Sequence, residues 1–172
     1  MLAIIKELLV LTRNRSLISK IDVEEINIHK VLNDVIISEE TTANEKNIKI
    51  EFNPDNSNPE IKGNISDFEK VFINLVSNAI RYNKEGGKIY ISSKLKGYNL
   101  IIRFQDTGIG IPEKDLNNIF TEFYRSENAR KIVNYGTGLG MSLVKQIVEN
   151  YDGSIEVESK LDEGTKITVK IP

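Results

Sequence analysis

The central stretch of the chain, residues 66–82, has the sequence SDFEKVFINLVSNAIRY. Its apolar residues recur at intervals of three and four, which is the periodicity of a helix that packs one face against a core. Its first four residues, 66–69, match the capping-box pattern of a helix start. Asn74, Asn78 and Arg81 fall four and three residues apart, so their side chains share one stripe beside the apolar face. We therefore predict a long amphipathic helix whose polar stripe borders the core.

The polar stripe has the chemistry of a ligand site. Amide oxygens such as those of Asn74 and Asn78 are hard ligands for Mg²⁺, and the guanidinium of Arg81 can bind phosphate through two hydrogen bonds. Tyr82, which follows on the same stripe, can cover an aromatic base. A solvated helix face with two functionless amides is the alternative for this motif taken alone.

Composition limits the functions open to the chain. Its 172 residues contain 23 Lys and Arg against 25 Asp and Glu, a net charge of −2. A broad basic surface for nucleic acid is therefore not expected, because such surfaces neutralise phosphates. The chain has no Cys and one His, which leaves Mg²⁺ or Ca²⁺ on oxygen ligands as the candidate metals. No apolar run approaches the roughly 20 residues of a membrane span, and a cytoplasmic setting fits these features.

Strands and helices mix along the chain without a regular alternation. The patterns predict helices over 1–15, 28–46, 66–82 and 139–153, a short helix over 112–120, and strands over 48–52, 88–95, 98–105, 154–159 and 165–171. The segments 53–59 and 121–137 have the composition of loops. This order predicts an α/β two-layer sandwich rather than a doubly wound sheet.

A glycine-containing loop, DTGIG, follows a predicted strand at residues 106–110. Its two glycines allow the backbone to turn and to approach a ligand closely. Asp106 at the strand end can accept a hydrogen bond from the exocyclic amine of adenine, where guanine would present a carbonyl. An ordinary Asp-Gly turn is the alternative for this motif alone.

A second glycine-rich segment, GTGLG at residues 136–140, leads into a predicted helix. Free N–H groups and the positive end of the helix dipole make such a start favourable for an anion. The spacing matches neither the GxGxxG dinucleotide fingerprint nor the GxxxxGK[ST] pattern of a P-loop. The segment therefore indicates phosphate binding without either of those two motifs.

Together and in this order, the motifs resemble those of the catalytic ATP-binding domain of bacterial sensor histidine kinases, within the GHKL (HATPase) superfamily. The segment 74–82 is similar to that family's N box, 106–112 to its G1 box, 119–125 to its F box, 136–140 to its G2 box and 163–165 to its closing Gly-Thr. The resemblance covers about residues 20–172. It implies the α/β Bergerat fold, a mixed sheet of about five strands with helices on one face, and a mobile ATP lid over about residues 113–136.

The resemblance also implies roles for the matching residues. Asn78 would bind Mg²⁺, and Asp106 would accept from the adenine amino group. Arg81 and Arg125 would contact phosphates and, with Asn74 beside the metal, form the catalytic group. Glycine amides of the G2 box would surround the phosphates, and a water would link Asp106 to the closing threonine. The residues implied around ATP are Asn74, Asn78, Arg81, Tyr82, Asp106, Gly108, Gly110, Ile111, Tyr124, Arg125, Gly136, Thr137, Gly138, Leu139, Gly140 and Thr165.

The implied function is that of a histidine kinase catalytic domain, residues 21–172, which donates the γ-phosphoryl group of Mg-ATP to a histidine on a dimerisation domain. Residues 1–20 would be the end of a dimerisation helix and a linker. His29 lacks the acceptor's sequence context, so we expect a surface or capping histidine. Asn74 replaces the Glu that activates water in ATP-hydrolysing relatives, so hydrolysis should be slow.

The implied partners are ATP or ADP, the dimerisation and phospho-acceptor domain, and a response regulator. Nucleic acid and direct membrane contact are not expected for this chain, although the parent protein would be anchored in the membrane. Two alternatives remain open from the sequence. One is an anti-sigma-type serine kinase of the same superfamily, and the other is a nucleotide-binding pseudo-kinase that acts as an interaction module.

Overall fold

The computed structural model of the chain describes residues 23–172. The helix predicted over residues 1–15 and the domain boundary predicted at residue 20 lie outside the described residues. Within the described part of the chain, no helix combines the length and the apolar character that crossing a bilayer requires.

Seven strands and four α-helices make up this part of the fold. The helices are α1 (Ile28–Glu45), α2 (Ile65–Arg81), α3 (Glu127–Ile132) and α4 (Gly140–Asn150). The strands are β1 (Glu24–Asn27), β2 (Lys49–Pro54), β3 (Glu60–Gly63), β4 (Lys88–Lys96), β5 (Asn99–Asp106), β6 (Ser154–Lys160) and β7 (Gly164–Ile171).

The main sheet has five strands in the order β2-β4-β5-β7-β6. Strands β2 and β4 are parallel and the other neighbours are antiparallel, which confirms the predicted mixed sheet. Strands β1 and β3 form a separate two-stranded antiparallel sheet that the sequence analysis did not predict. These strands have only four residues each, so neither is long enough to show a clear alternation of apolar and polar residues.

The core lies between one face of the main sheet and the helices α1, α2 and α4. The residues Ile89 and Ile91 of β4 alternate with exposed neighbours, so this strand buries one face only. The rings of Phe72 on α2 and Phe104 on β5 lie 6.2 Å apart across the two layers. The predicted two-layer sandwich is therefore confirmed, and the polar stripe of α2 lies beside this core.

Helix α2 begins one residue earlier than predicted, and its cap is a different residue. The side chain of Asn64 accepts a hydrogen bond from the amide of Ser66 at 2.9 Å, so Asn64 is the N-cap and Ser66 lies inside the helix. The predicted capping box at 66–69 is wrong. Asn caps a helix as well as Ser does, and here its oxygen reaches the second amide of the helix.

Two further predictions for residues 112–137 are wrong. No helix extends from Pro112 to Phe120, because a 3₁₀ turn at Glu113–Asp115 is followed by separate turns. The amide of Asn118 bonds the Asp115 carbonyl at 2.9 Å, an i→i+3 bond that does not continue as an α-helix. Helix α3 instead forms inside the segment predicted to be irregular.

His29 is neither a cap nor a simple surface residue. Asn27 caps α1 through a 2.9 Å hydrogen bond from the amide of Lys30. The Nε2 atom of His29 is hydrogen bonded to the hydroxyl of Ser93, a buried residue of β4. The imidazole is thus part of the packing between α1 and the sheet.

Candidate functional site

A cavity of about 580 Å³ opens between α2, the N-terminal end of α4, the end of β5 and the segment 113–136. It is lined by every residue that the resemblance implied around ATP except Gly108 and Leu139. Gly108 instead donates its amide to Asp106, and Leu139 is a buried residue at the start of α4. Three motifs that are distant in sequence therefore surround one space.

Asp106 ends β5 on the face of the sheet that packs against the helices, because it pairs with the buried Ile89 in the ladder. Its Oδ1 atom accepts hydrogen bonds from the amides of Gly108 at 2.8 Å and Thr165 at 3.2 Å. Neither bond uses Oδ2. Burial raises the pKa of Asp106 to about 6, and the two amide bonds oppose that rise.

Thr165 contacts Asp106 directly, in addition to the water-mediated link that the resemblance implies and that stays a prediction. The contact comes from the threonine amide, since β7 lies next to β5 in the sheet. The Thr165 hydroxyl is hydrogen bonded to the hydroxyl of Ser159 at 2.9 Å. A hydrogen bond from a backbone amide to a side-chain carboxylate thus joins the closing Gly-Thr to the G1 loop.

The glycines of the two loops allow close approaches. Gly110 has a φ of +66°, and a Cβ on it would lie 1.9 Å from the Lys160 carbonyl oxygen. A Cβ on Gly140, the first residue of α4, would lie 2.4 Å from Oδ1 of Asn74. Gly140 therefore allows the start of α4 to meet the polar stripe of α2.

The two asparagines of the stripe face the start of α4. Nδ2 of Asn74 donates to the Lys70 carbonyl at 2.8 Å. Nδ2 of Asn78 lies 3.5 Å from the sulfur of Met141. Both asparagines line the cavity, and their oxygens are the groups with which a hard cation could interact.

The two arginines contact groups within residues 133–136. The guanidinium of Arg81 lies 6.0 Å from the centre of the Tyr135 ring. Arg125 donates from Nη1 to the carbonyl of Gly136 at 3.5 Å, and from Nη2 to that of Val133. Its Nε is a buried nitrogen for which the described residues offer no hydrogen-bond partner.

Several residues that organise this site were missed by the sequence analysis. Asn128 of α3 donates to the Gly110 carbonyl at 2.8 Å. The hydroxyl of Tyr124 donates to the buried Asp115 at 2.8 Å, and this bond raises the pKa of Tyr124. Asn128 lies in a polar segment without periodicity, and Asp115 lies in the short helix predicted over 112–120. No pattern distinguished either residue from solvated neighbours.

The donors of the cavity fit Mg²⁺ only if a ligand supplies further oxygens. Residues 23–172 contain no group of three or more His, Cys, Asp or Glu side chains that could hold a metal ion. The amide oxygen of Asn78 is the predicted protein ligand at the cavity wall. Mg²⁺ commonly binds with one or two protein oxygens while phosphates and waters complete its octahedron.

Comparison with known proteins gives a consistent result. Residues 63–172 match the model of the "Histidine kinase-, DNA gyrase B-, and HSP90-like ATPase" family. The signal transduction histidine-protein kinase ArlS of Staphylococcus aureus (strain USA300) is 34% identical over 168 residues, which are 96% of this chain and 36% of that protein. The chain thus spans about a third of the length of the curated relatives that it matches.

Solved structures are similar over most of the chain. The catalytic domain of histidine kinase ThkA superposes with a TM-score of 0.77 at 29% identity, covering 88% of this chain and 96% of that one. ThkA in complex with the response regulator protein TrrA gives a TM-score of 0.78 at 28% identity, covering 99% and 46%.

Proposed function

This chain belongs to the histidine kinase-, DNA gyrase B- and HSP90-like ATPase family. We therefore propose that its cavity binds Mg-ATP and that the bound ATP donates its γ-phosphoryl group to a histidine on a separate segment. It is an ATP-binding catalytic domain of the histidine kinase type. The observation that carries the finer proposal is the single cavity lined by Asn78, Asp106 and Gly138.

The adenine half of the site is built on Asp106. Two amides engage Oδ1, so Oδ2 is the oxygen that accepts from the exocyclic amine of the base. Tyr82 and Ile111 line the same cavity and flank the ring. A buried carboxylate that accepts from an amine binds adenine better than guanine, because guanine places a carbonyl there and leaves both groups unsatisfied.

The phosphate half is built on the start of α4 and two arginines. The free amides of that helix end and its positive dipole face the anion. Arg81 lines the cavity, and the buried Nε of Arg125 is an unused donor at its wall. Mg²⁺ bound by Asn78 and phosphate oxygens would neutralise charge that develops as the phosphoryl group is transferred.

The proposed reaction breaks the bond between the γ-phosphorus and the β–γ bridging oxygen and forms a bond to an imidazole nitrogen, with ADP as the leaving group. Asn74 is an amide and takes up no proton at neutral pH, so the site lacks the carboxylate that would activate water in its place. Transfer of the phosphoryl group to water is therefore slow, and transfer to an imidazole is favoured over hydrolysis.

The proposed partners follow from this reaction. A dimerisation domain supplies the acceptor histidine, and a response regulator receives the phosphoryl group afterwards. ThkA, a relative at 28% identity, was solved with the response regulator protein TrrA, which supports the second partner. We place the domain in the cytoplasm, where ATP and such a regulator are available.

Titration calorimetry with Mg-ADP and Mg-GDP tests the nucleotide site. We expect Mg-ADP to bind. In a thermal unfolding experiment, Mg-ADP at 100 times its Kd should raise the free energy of unfolding by about 2.7 kcal/mol, which is seen as a rise in Tm. Asp106→Ala should remove most of the ADP binding, because the amine loses its acceptor. Asp34→Ala, at an exposed position of α1, is the matched control and should bind as the wild type does. A silent ADP titration of the folded wild type would instead favour the pseudo-kinase.

A further inference from the structure

Asn83 is a buried polar residue that the proposed mechanism does not use. It follows Tyr82 at the end of α2, is only 6% exposed, and does not line the cavity. Its Nδ2 donates to the Lys88 carbonyl at 3.1 Å, and its Oδ1 accepts from the Lys84 amide at 3.0 Å and the Thr107 hydroxyl at 3.2 Å. A buried amide with partners on three segments holds those segments in one arrangement.

The three segments are the end of α2, the start of β4 and the loop after β5. Thr107 makes three contacts with Lys88: its hydroxyl accepts from the Lys88 amide at 2.9 Å, and its own amide donates to the Lys88 carbonyl at 3.1 Å. The hydroxyl also lies 3.5 Å from that carbonyl, farther than the 3.2 Å to Oδ1 of Asn83. A glycine provides the space for the asparagine, since a Cβ on Gly87 would lie 2.3 Å from Asn83 Oδ1. Asn83 and Lys88 together therefore fix the position of Thr107.

Thr107 lies between the residue that carries the proposed base-binding carboxylate and one of the two residues whose amides orient it. Asp106 precedes it, and Gly108, whose amide donates to Oδ1 of Asp106 at 2.8 Å, follows it. A Cβ on Gly108 would lie 3.1 Å from the Cα of Asn83, so this loop also packs directly on the asparagine. A change in the backbone at Thr107 would move both the carboxylate and the donor that sets its direction.

We propose that Asn83 is a positioning residue for purine selectivity, which holds Thr107 and thereby directs the carboxylate of Asp106 at the exocyclic amine of adenine. The inference rests on the proposed function, because it requires a purine in the cavity with its amine at Asp106. It assigns part of the selectivity to a side chain that touches no ligand.

The test compares Kd for Mg-ADP and Mg-GDP in the wild type, Asn83→Ala, Thr107→Val and the double variant. We expect the ratio Kd(GDP)/Kd(ADP) to fall about tenfold in each single variant, the equivalent of roughly one well-placed hydrogen bond. In the double variant the ratio should fall by less than the product of the two single effects, because both changes remove the hydrogen bond between Asn83 and Thr107. A purely structural role would lower Tm without changing the ratio.

Ser93→Ala is the matched control. Ser93 is buried, as Asn83 is, and its substitution also removes a side-chain hydrogen bond. It lies in β4, four residues further along the strand than the partner of Asp106. It should lower Tm and leave the ratio unchanged. If Asn83→Ala does not fold, the ratio measured for Thr107→Val tests the inference by itself. This variant keeps the β-branched shape of the side chain and replaces the hydroxyl by a methyl group.

The outcomes separate this inference from the proposed function. A wild-type preference for ADP that persists in folded Asn83→Ala and in Thr107→Val overturns the inference alone. A wild type without any ADP preference, or a preference that survives Asp106→Ala, overturns the proposed adenine site and the inference with it.

Discussion

Asp106 is a buried carboxyl group whose ionised form is the better hydrogen-bond acceptor. Burial disfavours the ionised carboxylate and raises its pKa to about 6, while hydrogen bonds from the Gly108 and Thr165 amides favour it. In the ligand-free domain the ionised form is therefore destabilising. A donor placed at Oδ2, such as the amine of adenine, would offset that destabilisation. In the proposed site, the base would therefore be bound partly because its amine stabilises the ionised Asp106.

The pH dependence of stability and binding follows from this pKa. In the unfolded chain Asp106 titrates near 3.8 and in the folded domain near 6, so between these values the folded state binds the extra proton. The free energy of unfolding of the ligand-free domain should rise, relative to Asp106→Asn, as the pH falls from 7 to 5. Urea unfolding at several pH values measures this difference.

ADP affinity should change in the opposite direction. Below pH 6 the carboxyl is protonated and accepts poorly, so the wild type should lose up to about tenfold in affinity per pH unit relative to Asp106→Asn. Titration of the nucleotide phosphates affects both proteins alike and cancels in the comparison. Parallel binding profiles of the two proteins between pH 5 and 8 would contradict the assignment of the titration to Asp106.

The segment 113–136, the proposed lid, owes its fold to side-chain contacts rather than to helix propensity. Helix α3 has six residues, too few to be stable in isolation. Arg125 donates to carbonyls near the C-terminal end of α3. Asn128 donates to the Gly110 carbonyl, and the Tyr124 hydroxyl donates to the buried Asp115. A segment held by a few polar contacts opens at low cost. We predict that nucleotide binding orders this segment.

Asn128 should control the local opening of α3. Asn128→Ala removes the bond to Gly110, so amide exchange of residues 127–133 should accelerate by about fivefold, the effect of roughly one hydrogen bond. Hydrogen exchange read by mass spectrometry measures this. Asn134→Ala, the same substitution at an exposed position of the same segment, is the control. Equal exchange in both variants would show that the contact does not hold the lid.

Across the domain, the nucleotide cavity and the chain's histidine occupy different regions. His29 packs edge-on against Phe52, with ring centres 6.2 Å apart, and its Nε2 is bound to buried Ser93. Ser93 lies four residues along β4 from the partner of Asp106, or about 13 Å at the usual strand rise. An imidazole engaged in this way is poorly placed to attack a phosphorus atom.

The chain incubated with Mg-ATP alone should therefore acquire no phosphate on His29. Acid-labile, alkali-stable phosphate measured by intact mass at alkaline pH checks this, with His29→Gln as the control that defines the background. A modification present in the wild type and missing in His29→Gln would identify His29 as an acceptor and contradict the proposal of a separate acceptor segment.

Local patterns predicted much of this domain because they depend only on neighbours in sequence. The three-and-four spacing located α2 within a residue or two, and the hairpin at 154–171 was predicted with similar bounds. The predictions failed where two nearby residues were equally good candidates for one role, as with Asn64 and Ser66 for the N-cap of α2. They also failed where structure depends on distant partners, as in α3 and the sheet of β1 and β3.

The sequence alone determined the helix stripe, the two glycine loops and their order, and with them the family and the two-layer fold. Folding decided how these parts meet: Thr165 reaches Asp106 across 59 residues of chain, and Asn83 reaches Thr107 across 24. Such contacts depend on strand pairing and close packing between remote segments, which residue spacing does not encode. The raised pKa of Asp106 has the same origin, because burial is a property of the assembled core and not of any motif.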